Sequence, residues 1–225
     1  MLNINNTTDP HDGQSIIYAG ADIGHAESAM IVLHGRGATA ESMIGLISEI
    51  YAEKMIYVIP QAANFAWYPY RFIEKREVNE PGISSGLTLI QSIVTALVEK
   101  GIQHEKIFFL GFSQGACLAA DFVARYPAKY GGLFVLSGGL IGEHIYQDDY
   151  SGNLMKTPVF LGCSDVDFHI PEQRVHESAR IFEVMNADVT KKIYPNMGHT
   201  INRDEISFVK KVINIEEFEA VENDL

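Results

Sequence analysis

Short apolar runs alternate with helical periodicity along nearly the whole chain, and that alternation restricts the fold more than any other feature. Strand and helix in repeated succession are the sequence form of βαβ crossovers. The expected class is therefore α/β, with a doubly wound, mostly parallel sheet flanked by helices. Gln14–Ala19 reads as an outer strand, and Ala29–Leu33 as a central strand, apolar on both faces as buried parallel strands are. Further strands are expected at Met55–Ile59, Lys106–Leu110, Gly132–Leu136, Pro158–Gly162 and Val189–Tyr194.

Helices fill the intervals. Thr39 is placed to cap one whose Met43, Leu46, Ile47 and Ile50 form a single buried stripe. Leu87, Ile90, Val94 and Leu97 mark a second, ending near Gly101, and a third runs from Ala116 to Tyr126. The last two start near Pro171 and at Asn202, where Asn202 and Glu205 have the spacing of a capping box. With no repeat and no internal linker, the 225 residues are expected to form a single domain, 1–225. Its core spans about 14–213, between a polar leader and the acidic tail 216–225, which reads as a solvated chain end.

The net charge of −12 opposes nucleic-acid partners. Two cysteines, Cys117 and Cys163, are too few for a disulfide framework and read as buried thiols. Met1–His11 lacks the basic-then-apolar order of a signal peptide, and no apolar run reaches the ~18 residues of a membrane helix. The expected compartment is the cytoplasm, with no integral membrane segment.

Chemistry gathers at three loops that follow strands. Gly111-Phe112-Ser113-Gln114-Gly115 is a GxSxG pentapeptide between an apolar strand and a helix, a turn that lifts the serine hydroxyl above the sheet edge. A serine hydroxyl needs a base, and the base needs an orienting carboxylate. Of eight histidines, His199 in the loop after the last strand is best placed to be that base. The turn after Pro158–Gly162 carries Asp165 and Asp167, so the order along the chain is Ser, Asp, His, as in α/β-hydrolases. No spacing of His, Cys, Asp or Glu matches a metal-ligand motif, and neither a metal nor a cofactor is expected.

The chain resembles the phospholipase/carboxylesterase family of α/β-hydrolases, the group of acyl-protein thioesterases and small bacterial carboxylesterases. The resemblance covers about residues 14–213. It rests on His34-Gly35-Arg36-Gly37, Gly111–Ala116, the turn ending in Ile170-Pro171, and Gly198-His199. It implies an α/β-hydrolase fold, an oxyanion hole from the backbone N–H groups of Gln114 and Arg36, and it leaves a homodimer open. The family's Asp-x-x-Val-Pro pattern selects Asp167, before Ile170-Pro171, to orient His199. Asp165, by its spacing from Gly162, is the alternative, and the other aspartate is expected to be a turn or capping residue.

The Arg36 side chain either meets a substrate carboxylate or pairs with a local acid. In the long segment 61–81, Trp67, Tyr68, Tyr70 and Phe72 either wall an acyl pocket or form a small core of their own, with Trp67 taken as pocket-lining. His34 is expected beside the substrate, shaping the oxyanion loop, and His169 at the rim. The stretch 138–157 is too short for a large cap domain.

The expected function is cleavage of carboxylic ester or thioester bonds in a small-molecule substrate through an acyl-enzyme on Ser113, most simply as a carboxylesterase. The alternatives are an acyl-protein thioesterase or lysophospholipase, a dienelactone-hydrolase-like lactonase, and a non-catalytic binding module on the same fold.

Overall fold

A computed structural model describes residues 2–5 and 7–214; the acidic tail 216–225 lies outside the described residues. The strands are β1 (Ile16–Gly20), β2 (Ser28–Leu33), β3 (Met55–Pro60), β4 (Ile107–Phe112), β5 (Gly132–Leu136), β6 (Pro158–Ser164) and β7 (Asp188–Tyr194). They form one seven-stranded sheet in the order β1-β3-β2-β4-β5-β6-β7. β1 runs antiparallel to β3, and all other pairs are parallel.

Strict alternation of side chains builds a core on each face of this sheet. Ile31 and Leu33 of β2 and Phe109 of β4 enter one core, while Met30, Val32 and Leu110 enter the other. The first core is covered by α2 (Gly82–Glu99), α3 (Gln114–Arg125) and α4 (Glu172–Val184). The second is covered by α1 (Ile44–Glu49) and α5 (Arg203–Ile213). With helices on both faces, the sheet is doubly wound. α2 is 18 residues long with a mean hydropathy of 1.3, long and apolar enough to cross a membrane by those measures. Its Ile83, Leu87, Ile90, Val94 and Leu97 are instead buried in the core.

One helix differs from expectation. Thr39 does not cap α1: its Oγ1 accepts from the Ser42 N–H at the 3₁₀ turn Glu41–Met43, which precedes the six residues of α1. The stripe survives, with Met43, Ile47 and Ile50 buried. At α5 the expected capping box is present, Asn202 accepting from the Asp204 and Glu205 N–H groups and Glu205 from that of Asn202. The β5–β6 connection holds one short 3₁₀ turn, Gln147–Asp149, and no inserted helix or strand.

The strand order positions the site. From β2 the sheet grows outward to β3, then the chain returns to add β4 on the other side of β2. Between the carboxyl ends of β2 and β4 the connections diverge, leaving a crevice where parallel α/β sheets bind ligands. The loops after β2 and β4 are those carrying His34–Gly37 and Ser113.

Candidate active site

β4 passes directly into α3 through Ser113, whose φ of 56° and ψ of −118° are costly for a residue with a Cβ. The surroundings fix that geometry. The Ser113 N–H donates to Leu136 O at 3.0 Å, and Ser113 O accepts from the Cys117 N–H at 3.0 Å in the first turn of α3. A turn this tight leaves no room at its flanking glycines. A Cβ on Gly111 would sit 2.4 Å from Ala116 N, and one on Gly115 would sit 2.3 Å from Leu33 O.

Ser113 Oγ lies 2.9 Å from His199 Nε2, and His199 Nδ1 lies 2.7 Å from Asp167 Oδ2. The second Asp167 oxygen accepts from the N–H groups of His169 (2.8 Å) and Ile170 (3.1 Å), which fixes the carboxylate. With Nδ1–H donated to that carboxylate, Nε2 is left to accept from the serine hydroxyl. The imidazole also packs against the Phe112 and His169 rings, at centroid separations of 4.9 and 4.7 Å.

The two aspartates of the β6 turn divide the work. Asp167 meets the imidazole, whereas Asp165 accepts from the Asn196 N–H at 2.8 Å and so holds the main chain of the His199 loop. Ser164 assists, its hydroxyl accepting from the Gly198 N–H at 3.0 Å.

The loop after β2 abuts Ser113: a Cβ on Gly35 would lie 3.4 Å from Ser113 Cβ. Gln114 is the first residue of α3, so its N–H has no acceptor within the helix and sits at the positive end of the helix dipole. The Arg36 side chain follows neither course expected of it. It donates to the carbonyls of Pro69 (2.7 Å) and Tyr70 (2.5 Å), with its guanidinium 5.9 Å from the Tyr68 ring centroid.

Ser113, Gln114, His199, Arg36 and His169 line one cavity of about 790 Å³, together with Tyr68, Tyr70, Arg71 and Phe72 of the long segment. Trp67 and His34, expected at the substrate, do not line it. Trp67 has no exposed surface and stands behind the wall, its indole N–H donating to His34 O at 2.9 Å. His34 is equally buried. Its Nδ1 donates to Gly35 O at 2.8 Å and its Nε2 accepts from the Ala62 N–H at 3.1 Å, while burial lowers its pKa and favours the neutral ring. Both residues support the loop that bounds the cavity.

Three anchors of that loop escaped sequence reasoning. The Gln114 side chain accepts from the Trp67 N–H (2.8 Å) and donates to Tyr68 O (2.7 Å), tying the cavity wall to α3. Asn79 accepts from the Tyr70 N–H and donates to Arg71 O. His11, buried at the end of the polar leader, bridges Trp67 O and the Ala63 N–H. For Gln114 alone there was a signal, its place in the pentapeptide. Cys117 and Cys163 are buried, and burial pushes each thiol up to about 12, far from a nucleophilic thiolate.

Residues 16–217 match the phospholipase/carboxylesterase family. Acyl-protein thioesterase 1 of Saccharomyces cerevisiae is 28% identical over 222 residues, spanning 86% of this chain and 96% of that protein. A probable carboxylesterase of Oryza sativa subsp. japonica is 24% identical, over 80% of this chain and 85% of that protein. The crystal structure of a phospholipase/carboxylesterase from Dyadobacter fermentans superimposes with a TM-score of 0.87 at 40% identity, covering 92% of this chain and 99% of that one. A match over nearly the whole described chain, on the fold and site geometry above, means that the chain belongs to the phospholipase/carboxylesterase family.

Proposed function

We propose that the chain is a single-domain serine carboxylesterase that needs no group beyond its own side chains and water. The reading is carried by the hydrogen-bonded series Asp167, His199, Ser113 opening into the cavity. Family membership supports the coarser statement, hydrolysis of carboxylic ester or thioester bonds.

Ser113 Oγ attacks the carbonyl carbon while His199 Nε2 takes the hydroxyl proton. Asp167 stabilises the imidazolium and keeps the ring in register without taking the proton. The N–H groups of Gln114 and Arg36 receive the oxyanion. His199 returns its proton to the leaving alcohol or thiol, water enters, and the same residues hydrolyse the acyl-enzyme. Asp165 acts one step back, as a positioning residue on the His199 loop.

An intact hydrogen-bonded series held by so many accessory bonds argues against a non-catalytic binding module. The substrate is a small-molecule ester or thioester, and the acidic surface disfavours nucleic acid.

Hydrolysis of p-nitrophenyl esters from acetate to palmitate, by the wild type and Ser113→Ala side by side, tests the proposal. Turnover should fall by about 10⁴-fold or more in the variant. An unchanged rate, or a wild type inert on every ester, overturns it. The chain-length optimum, repeated with acyl thioesters, separates a short-acyl carboxylesterase from a long-acyl thioesterase.

A further inference from the structure

The cavity holds a cation that the ester chemistry leaves unused. Two arginines, Arg36 and Arg71, are among the residues that line it in a chain whose net charge is −12. Arg36 is committed to the carbonyls of Pro69 and Tyr70. The Arg71 guanidinium, among the described residues, has neither an ion-pair partner nor a hydrogen bond.

Its main chain is nevertheless held firmly. Arg71 O accepts from Asn79 Nδ2 at 2.9 Å and from the Glu74 N–H at 3.2 Å. On either side, the Tyr70 N–H donates to Asn79 Oδ1 at 2.7 Å, and Phe72 is buried beneath the Arg174 guanidinium. The root of the side chain is fixed and its charged end is free. Across the cavity His169 feels that charge: burial first, then His199, and after them Arg71 and Arg36 lower its pKa. Glu74 also lines the cavity, without pairing to Arg71, and opposes the field of the guanidinium.

Building on the esterase reading above, we propose that Arg71 is a specificity-determining residue that binds a carboxylate on the acyl or alcohol part of the substrate. A planar guanidinium meets a planar carboxylate through two parallel hydrogen bonds. Against the apolar surfaces of Tyr68, Tyr70 and Phe72 such a pair is less screened than in bulk water. Esters of dicarboxylic acids, or of alcohols bearing a carboxylate, are the class this arrangement favours over neutral esters of the same shape.

The test uses two matched pairs, each a carboxylate and its uncharged carboxamide. Monoethyl adipate against ethyl adipamate places the charge on the acyl side, and 3-acetoxybenzoate against 3-acetoxybenzamide places it on the leaving group. In at least one pair wild-type kcat/KM should favour the carboxylate by about tenfold or more. Arg71→Gln should bring that ratio close to one, Arg71→Lys should retain part of it, and Glu74→Gln should raise it. Lys75→Gln, an exposed cation on the same loop but off the cavity, should leave the ratio unchanged. A wild-type ratio at or below one in both pairs overturns the inference, as does an undiminished ratio in Arg71→Gln. Ester hydrolysis of the carboxamide-bearing substrates, lost in Ser113→Ala, reports separately on the esterase reading, so failure of one is distinguishable from failure of the other.

Discussion

Replacing Glu205 by Gln tests how the base of the His199 loop is held. Glu205 has no exposed surface; its Oε2 accepts from the Asn202 N–H at 2.8 Å, while Oε1 has no partner among the described residues and faces β6, where a Cβ on Gly162 would lie 2.1 Å away. Burial is the main cause that raises its pKa from 4.5 to about 7, against the opposing effect of the Asn202 hydrogen bond. A carboxyl whose pKa is raised by folding is stabilising while protonated. That advantage is complete below pH 4.5 and is lost as pH rises through about 7, because over this interval the folded state binds more protons than the unfolded chain.

Integrating between pH 5 and pH 8 gives a loss of about 2.5 kcal/mol. Gln keeps the cap and cannot ionise. The stability of Glu205→Gln relative to wild type should therefore grow by about that amount from pH 5 to 8, or by roughly 5–10 °C in Tm for a chain of this size. Urea unfolding of both proteins across the range measures it. The buried imidazoles of His11 and His34 have lowered pKa values, so they cost stability as pH falls; both proteins contain them, and their contribution cancels in the difference. A difference that stays flat from pH 5 to 8, or shrinks as pH rises, refutes the reasoning.

Asp167→Asn should lower kcat/KM by about 10⁴-fold, since the amide no longer stabilises the imidazolium. Asp165→Asn keeps an acceptor for the Asn196 N–H and should stay within about tenfold of wild type; equal losses in steady-state kinetics would refute this division of roles. Gly115→Ala drives a Cβ to 2.3 Å from Leu33 O, a backbone atom of a central strand that cannot give way. It should destabilise the protein by about 3 kcal/mol or more, and an unchanged Tm would show that the turn is looser than its geometry.

The fold was legible because the pattern that encodes it is local. Each of the expected strands exists, since a run such as Ala29–Leu33 has no other way to bury both faces than in the middle of a parallel sheet. That Ser113, His199 and Asp167 rather than Asp165 come into contact was legible for a related reason, each lying just past a strand end. The stripe expected for α1 is present, but its first turn is the 3₁₀ turn Glu41–Met43 and not part of one continuous α-helix.

The cavity wall was misread where a side chain's polar atom outweighed its size. Trp67 looked like pocket lining because it is large and sits among other aromatics, yet an indole N–H taken from water needs an acceptor. The acceptor it finds is His34 O, behind the wall, so the ring follows its donor inward and leaves Tyr68, Tyr70 and Phe72 to face the cavity. Arg36 was expected to seek an acid or a substrate, but a guanidinium is satisfied as well by carbonyls, and those of Pro69 and Tyr70 lie within reach. Both outcomes depend on contacts across more than thirty residues of chain, which no local pattern encodes. They also have a mechanistic consequence. Gln114, beside Ser113, grips Trp67 and Tyr68, and Arg36, from the loop that abuts Ser113, grips Pro69 and Tyr70. The residues whose main-chain N–H groups are proposed to receive the oxyanion therefore hold the cavity wall through their side chains, and on that proposal a change in the wall would be felt at the reacting carbonyl.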